Sequence, residues 1–276
     1  MSTPELARVH GLSGEDFGPP IRSTVKKPVF VIGTGRCGTS LLVRILASHP
    51  EITVYPTEAN ELWHPKAYPY SKAKIQAPPI LVNPKAFTER SLESWPEKHG
   101  DLIKKVLTCF HLLKGESNTF VVKSAMISFM IPKILDLFPD ARFIHLYRNG
   151  ICVVRSLFEK GWQKYLGVID NERDFYSYAA EYWKQCVMEI DRVSESLSLK
   201  GRNIMYELGY EELCREPRTQ VDRLSAFLGC HPNGFAFDLS EIRSTNWKVG
   251  DYIRDKRWSH LIDVMSTAME QKGYNV

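Results

Sequence analysis

The chain has 276 residues, of which 43% are hydrophobic and 25% are charged, a composition typical of a soluble globular protein. Its formal net charge of +4 is smaller than expected for the clustered basic surface of a nucleic-acid-binding protein. The sequence contains no run of about 20 apolar residues, and its first residues lack the apolar segment of a signal peptide. These features predict a cytoplasmic protein that binds a small anionic ligand and neither nucleic acid nor a membrane.

Six cysteines are scattered along the chain without a closely spaced pair, which favours reduced thiols over disulfides. The same scatter predicts no bound metal. Residues 1–27 are polar and contain Gly18-Pro19-Pro20, so we expect a flexible N-terminal arm. Residues 28–276 are expected to form a single domain, and a homodimer is an open alternative to a monomer.

The first predicted elements of the domain are a buried strand, a loop and a helix. Residues 28–32 are a short apolar run that ends at a glycine-rich turn. The helix after the turn ends at His49-Pro50, and its apolar stripe consists of Leu41, Leu42, Ile45 and Leu46. This order opens a βαβ unit.

Three later apolar runs predict further strands, at residues 120–122, 142–147 and 202–206. Segments with helical periodicity separate them, at about 127–138, 150–160, 173–198 and 217–228. Strands that alternate with helices indicate an α/β fold, with a central parallel sheet flanked by helices on both faces.

Residues 55–100 interrupt this alternation with many prolines and aromatic side chains, which include Trp63, Tyr68, Tyr70, Phe87 and Trp95. Long irregular insertions in compact domains are commonly functional, and the aromatic content argues against disorder. We therefore expect a substrate-facing loop here. Packing of these aromatic side chains on the core is the alternative for each of them.

The loop after the first strand reads Gly33-Thr34-Gly35-Arg36-Cys37-Gly38-Thr39-Ser40. A glycine-rich loop between a strand and a helix is the pattern of a phosphate-binding P-loop, whose backbone N–H groups hold an anion. Nucleoside triphosphatases need a lysine after the second glycine to contact the terminal phosphates. Here Thr39 occupies that position, and the loop carries Arg36 instead. The pattern thus favours a single phosphate that bears another group over a triphosphate.

Three segments together resemble the sulfotransferases that use 3′-phosphoadenosine 5′-phosphosulfate (PAPS). The first is Arg36-Cys37-Gly38-Thr39-Ser40, in which Cys37 replaces the serine that is usual in this family. The second is a strand that ends at Arg148, with Ser156 eight residues later. The third runs from Tyr210-Glu211-Glu212-Leu213 to Phe227-Leu228-Gly229.

The resemblance implies a P-loop-type fold that binds PAPS as sulfonate donor and releases 3′-phosphoadenosine 5′-phosphate (PAP). It implies that residues Arg36, Cys37, Gly38, Thr39 and Ser40 hold the 5′-phosphate side of the donor. The residues that match Arg148 and Ser156 bind the 3′-phosphate in this family, and the residue that matches Tyr210 contacts the adenine. A late segment of the same family matches Ser244, at the leaving group, and a late basic segment matches Lys248, near the 3′-phosphate.

Sulfonate transfer builds negative charge on the oxygen that bridges to the departing nucleotide, and fixed cations aimed at that oxygen lower the barrier. Arg36 is one candidate. Lys123 is another, because it follows the predicted strand 120–122 at the sheet edge where open α/β sheets bind ligands. Ser244 is interpreted equally well as the cap of a turn. No metal is required in principle, since the donor carries no triphosphate.

A base must take the proton of the acceptor. One branch of the family uses a histidine two residues after the lysine, but Ala125 stands there in this chain. Another branch uses a glutamate shortly after the first helix, and Glu58 lies one residue beyond the expected spacing. Glu58 is therefore the predicted general base, and Glu61 is the second candidate. His64 is a further alternative, although a lone histidine is more often a packing or surface residue.

The sequence thus predicts a sulfotransferase that moves a sulfonate group in line from PAPS to a hydroxyl or amine of a small polar metabolite. A saccharide and a peptide tyrosine are alternative acceptors. Trp162, Tyr165 and Trp183 are further candidates for the acceptor pocket. A P-loop kinase is an alternative of another class, which the missing lysine disfavours. A non-catalytic nucleotide-binding protein is a second, which the presence of Arg36 and Lys123 disfavours.

Overall fold

The computed structural model of the protein describes residues 25–65, 80–115, 117–165, 172–242 and 256–275. Five strands form one sheet: β1 (Val29–Ile32), β2 (Ile52–Val54), β3 (Thr119–Lys123), β4 (Arg142–Tyr147) and β5 (Met205–Gly209). They are all parallel, and their order is β2-β3-β1-β4-β5. The prediction of a central parallel sheet is confirmed.

Ten α-helices are present in the described residues and surround the sheet. They are α1 (Thr39–Ala47), α2 (Asn60–Trp63), α3 (Pro84–Glu93), α4 (His99–Leu113), α5 (Ile131–Leu137), α6 (Gly150–Glu159), α7 (Glu172–Leu199), α8 (Tyr210–Arg215), α9 (Pro217–Leu228) and α10 (Lys256–Gln271). Within the described part of the chain, no helix combines the length and the apolar character that crossing a membrane requires.

The central strand β1 is buried on both faces. Val29 and Val31 belong to one core cluster, and Phe30 and Ile32 belong to a second cluster, with all four side chains fully buried. Helix α1 contributes apolar side chains to the first cluster, and α4 and α5 contribute to the second. This two-sided burial explains why the strand reads as a continuous apolar run instead of an alternating one.

The order of the strands positions the site. Lys123 pairs in register with Val31 on one side of β1, and His145 pairs with Ile32 on the other. The carboxyl ends of β3, β1 and β4 therefore meet at the middle of one sheet edge. The chain continues from β1 to β2 on one side of it, whereas the connection from β3 crosses to β4 on the other side, and such a change of direction is where open α/β sheets bind ligands.

The structure corrects the description of residues 55–100 as an irregular insertion. The described part of this region contains α2, α3 and the start of α4. Trp63 and Phe87 are buried in the core, and Trp95 donates a hydrogen bond from its indole to the Trp63 carbonyl at 3.1 Å. Tyr68 and Tyr70 lie outside the described residues. The buried aromatic side chains stabilise the fold, as the alternative interpretation of the sequence held.

Three other details differ from the sequence prediction. Strand β2 and helix α4 were not predicted, and β5 begins at Met205 instead of residue 202. Strand β2 has three residues and lies at the edge of the sheet, so its apolar pattern is too short to be distinguished from a loop. Helix α4 does carry a regular buried stripe, of Ile103, Val106, Leu107 and Phe110.

Candidate active site

A cavity of about 550 Å³ opens at the carboxyl edge of the sheet, beside the loop between β1 and α1. Its wall includes many of the residues predicted from the sequence to bind or act on the donor: Arg36, Gly38, Thr39, Ser40, Glu58, Arg148, Ser156 and Tyr210. These residues come from the loop, from the segment after β2, from the end of β4, and from α6 and α8. The fold thus brings together residues that are distant in sequence.

The loop has a backbone that only a few residue types tolerate. Gly38 has φ of 106° and Arg36 has φ of 69°, both in the left-handed region. A Cβ atom on Gly38 would lie 2.4 Å from Cδ2 of Tyr210, so the tyrosine ring packs directly on the loop backbone. Helix α1 begins at the next residue, and the first N–H groups of a helix have no acceptor within it. These donors are therefore available to an anion in the cavity.

The side chain of Cys37 is fully buried beneath the loop. Burial raises the pKa of its thiol to about 11, and hydrogen bonding by neighbouring groups opposes this shift only in part. Its backbone N–H donates to the Thr34 carbonyl at 3.3 Å. The cysteine that replaces the usual serine therefore serves the packing of the loop.

One group of polar side chains in the cavity surrounds Arg36. Its Nε donates to Oγ of Ser156 at 3.2 Å, and Nη1 of Arg148 donates to the Arg36 carbonyl at 3.3 Å. The Arg148 guanidinium lies over the ring of Tyr210, 4.6 Å from the ring centroid, which is a cation–π geometry. Two guanidinium groups and a hydroxyl thus converge on one part of the cavity.

A second group is centred on Lys123. Its Nζ donates to Oε1 of Glu58 at 2.6 Å and to Oγ of Ser40 at 3.3 Å. The other carboxylate oxygen of Glu58 accepts from Nδ2 of Asn60 at 3.3 Å, and Oδ1 of Asn60 accepts from Oγ of Ser124 at 2.9 Å. The Lys123 side chain is 12% exposed, whereas that of Glu58 is 41% exposed. The carboxylate is therefore oriented by protein groups and still reaches the cavity.

Some predicted residues cannot be placed. Ser244 and Lys248 lie outside the described residues, and the side chain of Glu61 is not described. The pairing of Asn60 with Glu58 was not anticipated, nor were Arg155 and Glu159, which also line the cavity and form an ion pair at 2.6 Å. Glu159 lies three residues after Ser156 and four after Arg155, a spacing that places side chains on one helical face and would have indicated Glu159.

Trp162 closes the cavity near Gly35, whereas the other tryptophan considered for the acceptor pocket does not reach it. A Cβ atom on Gly35 would lie 2.9 Å from the Trp162 ring. Trp183 is fully buried, and its indole donates to the Arg148 carbonyl at 3.0 Å.

His64 is buried as well, with ring nitrogens bonded to Ser91 and to the Met126 carbonyl. Burial lowers the pKa of His64 to about 4, so it is a neutral packing residue.

Replacement of Gly38 by alanine should abolish PAP binding, because the new methyl group collides with Tyr210 and displaces the loop. Gly115→Ala is the matched control, since Gly115 has φ of 92° and no atom lies within 4 Å of the point that a Cβ would occupy. Both variants should lose about 1–3 kcal/mol of stability from backbone strain. Calorimetric titration with PAP should detect binding in Gly115→Ala alone. Full PAP affinity in Gly38→Ala would show that the contact with Tyr210 does not define the loop.

Comparison with known proteins identifies the family to which the chain belongs. The family model described as "Sulfotransferase family" matches residues 28–232. The chain is 24% identical over 304 aligned positions to omega-hydroxy-beta-dihydromenaquinone-9 sulfotransferase of Mycobacterium bovis, and the match covers 90% of this chain and 77% of that protein. It is 27% identical over 209 residues to an uncharacterized protein of Aquifex aeolicus, where the match covers 73% of this chain and 25% of that protein's length.

Solved structures show the same fold. The sulfotransferase domain from the curacin biosynthetic pathway superimposes with a TM-score of 0.58 at 17% identity, covering 92% of this chain and all of that domain. A sulfotransferase from Mycobacterium avium superimposes with a TM-score of 0.57 at 15% identity, covering 97% of this chain and 80% of the other. The family match spans most of the chain and agrees with the resemblance noted in its motifs. This protein belongs to the sulfotransferase family of enzymes.

Proposed function

We propose that the protein transfers a sulfonate group from PAPS to a hydroxyl or amine of a small polar metabolite, with Glu58 as general base. The observation that most supports this proposal is that the two polar groups, one around Arg36 and one around Lys123, lie beside the same cavity. The arginine–serine group around Arg36 suits a phosphorylated nucleotide, and the group around Lys123 joins a cation to a carboxylate. A lysine-less P-loop connects them, since Arg36 and Ser40 belong to the same short segment.

The residues around Arg36 fit a nucleotide with separate 3′- and 5′-phosphates. Arg148 offers a planar guanidinium to the 3′-phosphate, Ser156 adds a hydroxyl donor, and the N–H groups at the start of α1 hold the 5′-phosphate. Tyr210 supports the Arg148 guanidinium through its ring and lines the cavity where we place the adenine. When bound, PAPS supplies a sulfonate group activated by its link to the 5′-phosphate.

Two cations are proposed to neutralise the charge that develops on the leaving oxygen. Lys123 is held within 3.3 Å of Ser40, in the first turn of α1, so its ammonium stands beside the proposed 5′-phosphate position. The Arg36 side chain is exposed on the other side of the same loop. Cations that are already in place when charge develops stabilise the transition state without reorganisation. Ser244 and Lys248 stay predictions for the same part of the site.

Glu58 is proposed to accept the proton of the acceptor hydroxyl. The carboxylate of Glu58 lines the cavity and forms an ion pair with Lys123 at 2.6 Å. Lys123 holds Oε1 and Asn60 holds Oε2, so the carboxylate has a fixed orientation towards the cavity. When the acceptor oxygen bonds to sulfur, the bond from sulfur to the bridging oxygen of the 5′-phosphate would break, PAP would leave with that oxygen, and the acceptor proton would pass to Glu58.

The acceptor pocket is proposed to lie between Glu58 and Trp162. Leu41, Ala125 and Met126 give this part of the cavity an apolar wall. The mycobacterial relative is named for an omega-hydroxy substrate, which supports a hydroxyl over an amine as the acceptor group. A saccharide and a peptide tyrosine are the alternative acceptors. A cytoplasmic location and a homodimer stay predictions.

A comparison of ligands by thermal shift tests the class of function. PAP should stabilise the protein, by about 2.7 kcal/mol at a hundred times its Kd, and ATP should stabilise it less, with or without Mg²⁺. A larger shift with Mg²⁺–ATP would favour the kinase alternative. Incubation of PAPS with metabolite extracts, followed by mass spectrometry, should then reveal a product heavier by one sulfonate group. PAP binding without any sulfated product from any extract would favour a non-catalytic nucleotide-binding protein.

The variant Glu58→Gln should bind PAP normally and lose about 10²–10⁴-fold in kcat, because the amide cannot accept the proton. Glu159→Gln is the control, since Glu159 lines the same cavity and is paired with an arginine. Its kcat should stay close to that of the unmodified protein in a steady-state assay. Full turnover in Glu58→Gln, with loss in Glu61→Gln, would assign the base to Glu61 instead.

The variant Arg148→Ala should lose affinity for PAP by about 100-fold, the size of effect expected when one buried charge pair is removed. Its affinity for adenosine 5′-monophosphate (AMP), which has no 3′-phosphate, should change little. The control is Arg192→Ala, on the exposed face of α7, where the arginine pairs with Glu189 of the same helix at 2.7 Å. Equal losses for PAP and AMP in calorimetry would remove the 3′-phosphate from the assignment of Arg148.

A further inference from the structure

The segment that follows α10 reaches back to the sheet and to α8. The Lys272 side chain is only 4% exposed, and its Nζ donates to Oδ1 of Asp191 at 2.6 Å and to Oε1 of Glu207 at 2.8 Å. His145 lies next to both carboxylates. The ammonium thus compensates Asp191 of α7 and Glu207 of β5, and this buried ion pair anchors the segment.

Two residues after Lys272, the hydroxyl of Tyr274 donates to Oε2 of Glu211 at 2.7 Å. Burial and the neighbouring carboxylate raise the pKa of Tyr274, so the phenol keeps its proton and remains a donor. The other oxygen of Glu211 accepts the backbone N–H of Asn149 at 3.0 Å. Glu211 thus links the segment after α10 to the turn between β4 and α6.

The two residues of the proposed 3′-phosphate site, Arg148 and Ser156, lie before and after that turn in the chain. Arg148 immediately precedes Asn149, and α6, which bears Ser156, begins immediately after it. The Asn149 side chain caps α6 by accepting the Cys152 N–H at 3.3 Å. A small movement of Asn149 would therefore change both the position of the guanidinium and the direction of the helix that presents the serine hydroxyl.

Helix α10 also packs against the start of α6. A Cβ atom on Gly150 would lie 2.7 Å from Sδ of Met265, so α10 and the turn are in direct contact. The turn is held further by the Trp183 indole on the Arg148 carbonyl. The contact through Glu211 and Tyr274 consists of hydrogen bonds. These bonds can be removed by substitutions that change the shape of the core very little.

We propose that Glu211 and Tyr274 are positioning residues that set the geometry of Arg148 and Ser156 for the 3′-phosphate of the donor. This inference rests on the proposed function, and it adds a role for a segment distant in sequence from every donor-binding motif. Neither residue is proposed to contact the donor. Their effect passes through the Asn149 backbone, and it should therefore be specific for ligands that carry a 3′-phosphate.

The test compares the affinities for PAP and AMP in single-residue variants. Tyr274→Phe keeps the ring, which contacts Tyr147 edge-on at 6.3 Å, and removes only the hydroxyl. The ratio of PAP to AMP affinity should fall about tenfold, within the range found for residues that act through a packed network. Glu211→Ala should lower the ratio at least as much. Glu211→Gln should restore it, because an amide oxygen can accept from Asn149 while the amide N–H donates to the phenol oxygen.

Two controls separate positioning from a general loss of stability. Tyr178→Phe removes a phenol hydroxyl from a partly exposed position on α7 and should leave both the ratio and the melting temperature unchanged. Ile103→Val should lower the melting temperature, because it removes a buried methyl group from the second core cluster, and should leave the ratio unchanged. An unchanged ratio in Tyr274→Phe and Glu211→Ala would overturn the inference and leave the proposed function intact. An unmodified protein without preference for PAP over AMP would overturn both.

Discussion

The site depends on the close packing of the Tyr210 ring against the backbone of Gly38. At this distance no side chain fits at the last glycine of the loop, and the left-handed backbone there excludes most residues as well. The same ring lies beneath the Arg148 guanidinium. One aromatic side chain on α8 therefore fixes the spacing between the loop after β1 and the end of β4. The proposed sites for the 5′- and 3′-phosphates belong to these two segments.

Arg36 and Arg148 each have a partner and still line the cavity. Arg36 is bonded to a neutral hydroxyl, and Arg148 to a carbonyl and an aromatic ring. These partners orient the guanidinium groups without cancelling their charge, so both can attract a phosphate. Lys123 differs, because its partner Glu58 is a carboxylate. That pairing places the proposed base, Glu58, beside Lys123, which lies next to the proposed 5′-phosphate position. The group proposed to take the acceptor proton and a cation proposed to stabilise the leaving oxygen are therefore adjacent.

Much of the fold follows from the sequence because the central strands are buried on both faces. Continuous apolar runs at β1, β3 and β4, separated by helical periodicity, are sufficient to predict a parallel sheet. The edge strand β2 is short, and residues 84–113 contain prolines and aromatic side chains that resemble a loop. Helix α3 is stabilised by tertiary contacts such as those of the buried Phe87, which local patterns do not report, whereas the buried stripe of α4 is a local signal. At β2 and α3, packing rather than local propensity determines the structure.

The site residues divide in the same way. Arg36, Arg148, Ser156 and Tyr210 lie in motifs with fixed spacing, so the sequence alone is sufficient to suggest them. Asn60 is bonded to the distant Ser124 as well as to Glu58, and Tyr274 is bonded to the distant Glu211. No local pattern marks residues with contacts of this kind.

The missing P-loop lysine shows how the two kinds of information combine. In the sequence, Thr39 at that position excludes the usual contact with terminal phosphates. In the structure, the ammonium beside the first turn of α1 comes from Lys123, at the end of the neighbouring strand β3. A lysine within the loop would move with the loop, whereas a lysine on a central strand is fixed by the sheet. A cation held in this way can pair with Glu58 beside the proposed 5′-phosphate position, and this arrangement suits the proposed transfer of a group that leaves the nucleotide.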